Sequence, residues 1–407
     1  MKILHTADWH LGKRLDRYMR LDEQRDVLDE LIARADELEI DVVIVAGDLF
    51  DSFNPSSEAI ELLYKSLKRL SKNGSRPVVA IAGNHDSPDR IDAPDVLARE
   101  CGIVFAGYPH VHVRSGPLCN GIYITKSEPG FIELQLPAYS YPLRLLLTPY
   151  ANEYRMKTFL GVTDGEGEMR TVLQQHWQRL VDKYCDEEGV NIMAAHLFVM
   201  KKGEAPPEEP VDEKPILHIG GAQAIYSENI PPQLQYVALG HLHRYQEIDK
   251  ERMPIVYSSS LLSYSFSEAG QEKYVVLVNA EPGRAIAMER IAIQTGKRLY
   301  RQRFEELEEA LGWLRTHPDS WVELTMVSDD FMNTEDRKAL LQAHDGIVTI
   351  IPEIRNKNER TSEGSRIDLS QSIDELFVQY FMFKNGQQPN DELLTLFKEI
   401  KAEQVEE

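Results

Sequence analysis

The sequence contains few cysteines and no long apolar segment. Its three cysteines, Cys101, Cys119 and Cys185, are odd in number and far apart among 407 residues. This pattern excludes a disulfide framework and a zinc knuckle, and it suits a reducing compartment. No apolar run approaches the roughly 18 residues that a membrane-spanning helix requires. The first residues enter a strand pattern without the apolar stretch of a signal peptide, so we expect a cytoplasmic protein.

Basic residues are outnumbered by acidic ones: the chain has 45 lysines and arginines and 66 aspartates and glutamates, which gives a net charge of −21. Proteins that bind nucleic acid without a partner usually carry a basic surface, so the acidic charge balance argues mildly against a protein of that kind. A phosphate substrate would need local positive charge or a partner that supplies it. Two basic stretches offer such charge, although ordinary solvated charges explain each equally well: Lys13, Arg14, Arg17 and Arg20, and Lys65, Lys68, Arg69, Lys72 and Arg76.

What the sequence does contain is an alternation of short apolar strands and amphipathic helices. A chain of this length exceeds one ordinary core, so about two or three domains are expected. The β-branched run 42–46 is typical of a strand buried on both faces, whereas 21–38 has apolar residues at helical spacing. Strands are predicted at 3–6, 42–46, 78–82, 192–195, 236–239, 255–257 and 274–278, and helices at 21–38, after 54–57 and at 169–184.

Five short polar motifs follow strand-like runs directly. In open α/β sheets this end of each strand lies at the edge where ligands bind, so side chains distant in sequence should converge there. Two aspartates, an asparagine and several histidines could then hold two divalent ions bridged by a carboxylate, a site that hydrolyses phosphate esters. The motifs are Asp8-Trp9-His10, Gly47-Asp48-Leu49-Phe50-Asp51, Gly83-Asn84-His85-Asp86, Ala195-His196-Leu197 and Gly240-His241-Leu242-His243.

Each motif alone also has a purely structural explanation. Asp8 could cap a strand end, Gly47-Asp48 could form a turn, and a lone His196 is more often a hydrogen-bonded histidine than a ligand. His241 and His243 differ, because residues at i and i+2 of an extended segment point to the same side. The joint occurrence of the five motifs after strands favours the metal site.

The order D-x-H, GD, GNHD, H and GHxH resembles the calcineurin-like metallophosphoesterase superfamily. The segments HTADWHLG, VAGDLFD, AGNHDS and ALGHLHRYQ, followed by YSSSLLSYSFSE, resemble the SbcD-type DNA-repair exonuclease subunits within it. These segments span residues 1 to about 280. The resemblance implies an α/β fold, namely a four-layer α-β-β-α sandwich with a small α/β capping domain and C-terminal helices.

The resemblance also implies a ligand set. The mixture of imidazole, carboxylate and amide oxygen without thiolate fits Mn²⁺ best, although it does not exclude iron or zinc. A first ion would be held by Asp8, His10, Asp48 and His243, and a second by Asp48, Asn84, His196 and His241, with Asp48 bridging.

One histidine is left over by this assignment. The resemblance implies that His85 faces the scissile phosphate without binding metal, and stabilises charge or protonates the leaving 3′ oxygen. Asp86 either orients His85 through a hydrogen bond or stabilises the turn, and Asp51 lies near the metals. His5, inside the first strand, is expected to be a buried, hydrogen-bonded histidine.

Four parts are expected along the chain: a di-metal phosphoesterase domain at 1–280, a DNA-capping domain at 281–354, a linker at 355–371 and a helical segment at 372–407. The capping domain could instead be a stabilising appendage, and the C-terminal helices could fold back on it. In the resemblance these helices bind an SbcC-like coiled-coil ATPase. The resemblance also implies DNA as substrate, a homodimer and a location at the nucleoid. The helices near 57–70 and 89–99 are candidate dimer surfaces, although an apolar helix face equally fits packing within one chain.

Three functions compete on this evidence. The first is a Mn²⁺-dependent DNA nuclease subunit, cutting duplex ends 3′ to 5′ and single strands or hairpins internally. The second is a stand-alone calcineurin-like phosphodiesterase that acts on small nucleotides or phosphoproteins and needs no C-terminal helices. The third is a scaffold without bound metal, against which the complete ligand set argues.

Overall fold

A computed structural model of the protein describes residues 1–151, 166–205, 224–328 and 332–354, and beyond them residues 376–378, 380, 381, 389, 394 and 397. The chain divides into two units, Met1–Met326 with Asn333–Ile351, and Val327–Met332 with Pro352–Glu407. Every helix in the described part is too short or too polar to cross a lipid bilayer.

The helices and strands follow the predicted alternation closely. The helices are α1 (Leu21–Glu37), α2 (Ser57–Leu70), α3 (Pro88–Asp92), α4 (Asp95–Glu100), α5 (Glu166–Tyr184), α6 (Leu307–Thr316) and α7 (Thr334–Ala343). The strands are β1 (Lys2–Thr6), β2 (Arg14–Leu15), β3 (Tyr18–Met19), β4 (Val42–Ala46), β5 (Val78–Ile81), β6 (Ile103–Ala106), β7 (Gly116–Pro117), β8 (Tyr123–Glu128), β9 (Phe131–Gln135), β10 (Leu143–Thr148), β11 (Val190–His196), β12 (Val199–Met200), β13 (Ile225–Tyr226), β14 (Tyr236–Gly240), β15 (Gln246–Asp249), β16 (Ile255–Tyr257), β17 (Tyr274–Asn279), β18 (Ala287–Ala292), β19 (Arg298–Phe304), β20 (Ser320–Ser328) and β21 (Ile347–Ile354).

The first sheet has the order β18-β17-β1-β4-β5-β6. Strands β1, β4, β5 and β6 are mutually parallel, and β17 pairs antiparallel with β1. Helices α1 and α2 cover its outer face, where Leu31 and Leu67 pack in one core cluster with Val43 and Val45. Helix α2 begins where the sequence predicts, because the Ser56 side chain accepts the backbone N–H of Ala59.

The second sheet has the order β15-β16-β14-β11-β10-β9-β8-β7, and its central strands β10, β11, β14 and β16 are parallel. Helix α5 covers its outer face through Trp177 and Leu180. Between the two sheets, Ile44 of the first lies in one buried cluster with Leu145 and Ile192 of the second. The layers are therefore helix, sheet, sheet and helix, which confirms the predicted four-layer sandwich.

A small three-stranded sheet, β19-β20-β21, accompanies α6 and α7. Strand β18, which lies beyond residue 280, does not belong to this small sheet, because it forms an antiparallel hairpin with β17 at the edge of the first sheet. That sheet therefore continues to Ala292, past the predicted boundary at residue 280. The hairpin β2-β3 packs on the small sheet, with Leu15 in a cluster that contains Trp321 and Val348.

The C-terminal predictions fall largely outside the described residues, including the linker at 355–371 and most of the helical segment at 372–407. Residues 376–378, 380 and 381 are helical, as are 394 and 397. The Phe377 ring stacks on Phe397 with centroids 4.0 Å apart. Two helical residues twenty positions apart in the C-terminal segment therefore pack against each other.

Candidate metal centre

The five motifs meet at one edge of the sandwich. Strands β1, β4 and β5 of the first sheet end at the first three motifs, and β11 and β14 of the second end at the last two. The strand ends are held together by backbone hydrogen bonds, such as those from Asp8 N–H to the carbonyl of Gly47 and from His10 N–H to that of Asp48, both 3.0 Å.

Asp48 lies at the centre of the cluster and is 2% exposed. Its Oδ2 atom is 3.5 Å from Nε2 of His10 and 3.4 Å from Nε2 of His196, and its Oδ1 accepts the backbone N–H of His85 at 2.9 Å. Burial would raise the pKa of this carboxyl, but the charged His196 ring beside it outweighs burial and holds the pKa well below its usual range. The carboxylate between two histidines is therefore ionised.

The other predicted ligands lie on either side of Asp48. Nε2 of His10 is 2.9 Å from Nε2 of His243, and the Asp8 carboxylate accepts the backbone N–H of His241 at 2.9 Å. On the opposite side, Oδ1 of Asn84 is 3.0 Å from Nε2 of His196 and 2.9 Å from Nδ1 of His241. All seven predicted ligand residues thus belong to one cluster, and their binding of metal remains a prediction.

Three sets of side chains in the described part bring their donor atoms within 4.8 Å of one another. The sets are Asp8, His10 and His243; Asp48, His196 and His241; and His10, Asp51 and His85. The first two sets correspond to the two halves of the predicted ligand set.

The backbone at several of these residues is strained. Asp8, His10, Asp48 and His241 have φ angles of 54°, 44°, 49° and 110°, in the left-handed region that non-glycine residues rarely adopt. Each such conformation costs on the order of 1–3 kcal/mol and persists where surrounding structure enforces it, most often at functional sites. The strained backbone indicates that these loops orient their side chains toward the centre at a cost in stability.

Two motif glycines are required by the close approach of the loops. A Cβ atom at Gly83 would lie 2.0 Å from Oδ1 of Asp48, and one at Gly47, whose φ is +93°, would lie 2.2 Å from Nδ1 of His196. Any side chain at either position would displace a predicted ligand, so these glycines shape the centre as well as its turns.

The protonation states of His10, His241 and Asp48 fit divalent cations. Burial holds the pKa of His10 and His241 well below the ordinary value, so both rings are neutral donors, and burial raises the pKa of Asp8 to about 6. Burial also acts to lower the pKa of His196, but the Asp48 carboxylate outweighs it and raises that pKa to about 9. Nε2 of His241 is buried without a hydrogen-bond partner. The neutral rings of His10 and His241, the ionised Asp48 and the Asn84 amide oxygen, with Nε2 of His241 unsatisfied, suit a divalent cation, which would displace the proton that His196 carries without metal.

His85 lies beside this cluster, with its ring edge-on to His10 at 4.8 Å between centroids. Its Nδ1 is 2.8 Å from the carbonyl oxygen of Asp51. A carbonyl only accepts, so Nδ1 carries the proton and Nε2 stays available. The group that holds the ring is the Asp51 backbone.

The two roles expected for Asp86, orienting His85 and stabilising the turn, both stay predictions, and its hydrogen bonds favour the second. The buried Asp86 carboxylate accepts the backbone N–H groups of Gly83 at 2.8 Å, Leu49 at 3.0 Å and Phe50 at 2.9 Å. These three bonds tie the second motif to the third, which is the turn-stabilising role considered as the alternative. The carboxylate turns toward backbone N–H groups because those buried donors need an acceptor.

His5 behaves as predicted. It is fully buried, with Nδ1 2.9 Å from the hydroxyl of Tyr236 and Nε2 3.1 Å from the carbonyl of Leu239. Burial lowers its pKa to about 3. His5 therefore packs between the sheets as a neutral ring.

Sequence reasoning missed a carboxylate behind the centre. Glu268 is 1% exposed, and its Oε1 lies 3.4 Å from Nδ1 of His243. The available signal was its position at the end of YSSSLLSYSFSE, a segment that carried the family resemblance without an assigned role.

Comparison with known proteins agrees with this geometry. Residues 1–245 match the family described as calcineurin-like phosphoesterase. The whole chain is 36% identical over 416 aligned positions to the SbcD component of the SbcCD nuclease of Bacillus subtilis, covering 99% of that protein.

Two solved structures are also similar. A dimetal phosphatase from Danio rerio has a TM-score of 0.40 and 15% identity, over 73% of this chain and 99% of that one. The protein TT1561 of Thermus thermophilus has a TM-score of 0.38 and 11% identity, over 71% and 98% of the two chains. The family match and the full-length relative together establish that this chain is a metal-dependent phosphodiester hydrolase and belongs to the calcineurin-like phosphoesterases, in the group of the SbcD nuclease subunits.

Proposed function

We propose that this protein is the nuclease subunit of a DNA-repair complex and cleaves DNA with two bound Mn²⁺ ions. Its activities are 3′-to-5′ exonuclease on duplex ends and endonuclease on single strands and hairpins. The observation that carries the proposal is the convergence of seven donor side chains from five strand ends, with the carboxylate of Asp48 at their centre.

The proposed ligands of the first ion are Asp8, His10, Asp48 and His243, and those of the second are Asp48, Asn84, His196 and His241. The near-equal distances from Oδ2 of Asp48 to Nε2 of His10 and His196 support Asp48 as the bridge. When bound, the ions supply Lewis-acid stabilisation of the phosphoryl oxygens and lower the pKa of the attacking water. Nitrogen and oxygen donors without thiolate favour Mn²⁺.

His85 is the proposed general acid. The Asp51 carbonyl holds Nδ1 as a proton donor, so only Nε2 is available to a substrate. In the protonated ring, the Nε2–H group would stabilise the charge that develops on the leaving oxygen, or would protonate that oxygen as the P–O bond breaks.

Positive charge close to the centre supports a nucleic-acid substrate. Nζ of Lys13 is 3.3 Å from Oδ1 of Asp51 at the edge of the cluster, and the hairpin that follows exposes Arg14 and Arg17. In a chain of net charge −21 this local cluster would contact the phosphates flanking the cleaved bond.

The small sheet is the proposed DNA-capping domain. It contacts the hairpin β2-β3, which follows the motif Asp8-Trp9-His10 in the chain. The rings of Tyr18 and Trp321 are 4.7 Å apart, and the Tyr18 hydroxyl donates to the carbonyl of Ile347 at 3.0 Å. A duplex held by this sheet would therefore lie next to Lys13 and the metal centre.

Two further surfaces support the proposed assembly with an SbcC-like ATPase and with a second copy of the chain. Tyr380, in the segment 372–407 that would dock on the ATPase, is 59% exposed. Val96 and Leu97 of α4 are 70% and 76% exposed, an apolar surface that a homodimer would cover. The proposed location is the cytoplasm, at the nucleoid.

The decisive experiment compares a hairpin-ended DNA duplex with bis-p-nitrophenyl phosphate, each with Mn²⁺, with Mg²⁺ and with a chelator. We expect DNA cleavage with Mn²⁺, weaker cleavage with Mg²⁺ and none with chelator. Turnover of the small ester without any cleavage of DNA would instead identify a stand-alone phosphodiesterase.

A further inference from the structure

A buried ion pair lies behind the metal centre and has no role in the function described so far. Glu268 is 1% exposed and Lys273 is 6% exposed, and Nζ of Lys273 donates a hydrogen bond to Oε2 of Glu268. Two buried charges are costly unless their remaining polar atoms also find partners. Their other contacts therefore indicate what the pair does.

Those contacts converge on His243. Oε1 of Glu268 is 3.4 Å from Nδ1 of the His243 ring, and Nζ of Lys273 donates to the His243 carbonyl oxygen at 2.8 Å. Lys273 also donates to Oγ of Ser260 at 3.0 Å. One charge thus holds the ring of His243 and the other holds its backbone.

The chemistry of the contact selects one form of the ring. A carboxylate only accepts hydrogen bonds, so the atom of His243 facing Glu268 must be an N–H. A neutral imidazole with its proton on Nδ1 has its lone pair on Nε2. Nε2 of His243 is the atom that lies 2.9 Å from Nε2 of His10, inside the proposed first ligand group.

We propose that Glu268 is a positioning residue that fixes the tautomer and orientation of His243, so that Nε2 is its metal-binding atom. Lys273 holds the Glu268 carboxylate in place. The inference rests on the proposed ligand set and adds to it the group that aims one of its members. A carboxylate or carbonyl on the second nitrogen of a ligating histidine is the usual device for this purpose.

The same loop also reaches the other histidine of this group. Glu268 accepts the backbone N–H of Tyr264 at 3.0 Å, the Tyr264 hydroxyl donates to the carbonyl of Trp9, and the Tyr264 ring lies 5.4 Å from that of His10. The segment 258–273 therefore contacts both His243 and His10, the two histidines of the proposed first site.

The test is Mn²⁺ binding by the full chain carrying Glu268→Gln, measured by titration calorimetry of metal-free protein. We expect affinity at one of two sites to fall about 10–100-fold. The matched control is Glu133→Gln, because Glu133 is also buried and paired, 2.9 Å from Nε of Arg144, but its partners lie outside the centre. The control should lose thermal stability and keep both affinities.

Wild-type affinity at both sites in Glu268→Gln would overturn the role of Glu268. A wild-type chain that binds no Mn²⁺ would instead overturn the ligand set, so the two failures are distinguishable. A second measurement needs no Glu268 variant: ¹⁵N-histidine NMR of the metal-free wild type, with the His243 signals identified by their loss in His243→Gln. We expect the proton on Nδ1, and a proton on Nε2 overturns the proposal.

Discussion

Replacing His85 by alanine is expected to remove most DNA cleavage and leave both metal ions bound. The change deletes a half-buried ring that is held by one hydrogen bond, 2.8 Å from Nδ1 to the Asp51 carbonyl. It keeps the backbone N–H of residue 85, which donates to Oδ1 of Asp48 at 2.9 Å. The carboxylate at the centre therefore keeps its support.

The size of the effect separates catalysis from stability. Loss of a positioned general acid lowers the rate by about 10²–10⁴-fold, equivalent to about 2.7–5.4 kcal/mol of activation free energy. Loss of the hydrogen bond to Asp51 costs only about 0.5–1.5 kcal/mol of folding free energy. A folded variant with a 10³-fold slower rate would thus reflect chemistry.

The assay is single-turnover cleavage of a hairpin-ended duplex with Mn²⁺, together with the number of Mn²⁺ ions bound at equilibrium. His112→Ala, which removes an exposed histidine outside the centre, should match the wild type in both. The reasoning is refuted if His85→Ala loses one equivalent of Mn²⁺. His85 would then be a ligand, in the set that it forms with His10 and Asp51.

Four other outcomes are expected. Asp86→Ala removes the acceptor of three buried N–H groups and should lower the free energy of unfolding, measured in urea, by at least about 3 kcal/mol. The control is Asp92→Ala, which should lose less because the Asp92 carboxylate accepts only the N–H of Gly107 among the backbone groups of the described residues. Equal losses in the two variants would contradict a tie between the second and third motifs through Asp86. His5 has a pKa of about 3 when folded and about 6.5 when unfolded, so the unfolded chain binds the extra proton below pH 6.5. The wild type should therefore lose about 1.4 kcal/mol of stability per pH unit between about 6 and 4 that His5→Gln does not lose, and parallel curves would contradict this. Leu97→Asp places a charge on the exposed apolar face of α4 and should shift the protein to monomer in light scattering, whereas a wild type that is already monomeric at all concentrations argues against the dimer. Deletion of residues 356–407 should abolish co-purification with the ATPase and preserve Mn²⁺-dependent hydrolysis of the small ester, and a truncated chain that still binds the ATPase would move the interface elsewhere.

Local patterns in the sequence were enough to predict most of the sandwich. The β-branched run 42–46 and the apolar spacing of 21–38 correspond to β4 and α1 within a residue or two. Strands β8, β9 and β10 were not predicted, because short segments of mixed apolar and polar residues such as Phe131–Gln135 carry no clear periodicity that separates a strand from a loop. Residues 281–354 were expected to form the capping domain, yet β18 within that range pairs with β17 of the first sheet. Strand partners depend on long-range backbone pairing that local periodicity does not encode.

The order and chemistry of the five motifs predicted which side chains would gather, since parallel strands place their ends at a common edge. Sequence alone determined the fold class, the cluster and the family. Only the tertiary structure decided which atoms face one another: that Asp86 binds backbone N–H groups, that the Asp51 carbonyl holds His85, and that Glu268 stands behind His243. The reason is physical, because a hydrogen bond depends on distances of a few tenths of an ångström between loops far apart in the chain, whereas strand and helix periodicity is set by near neighbours.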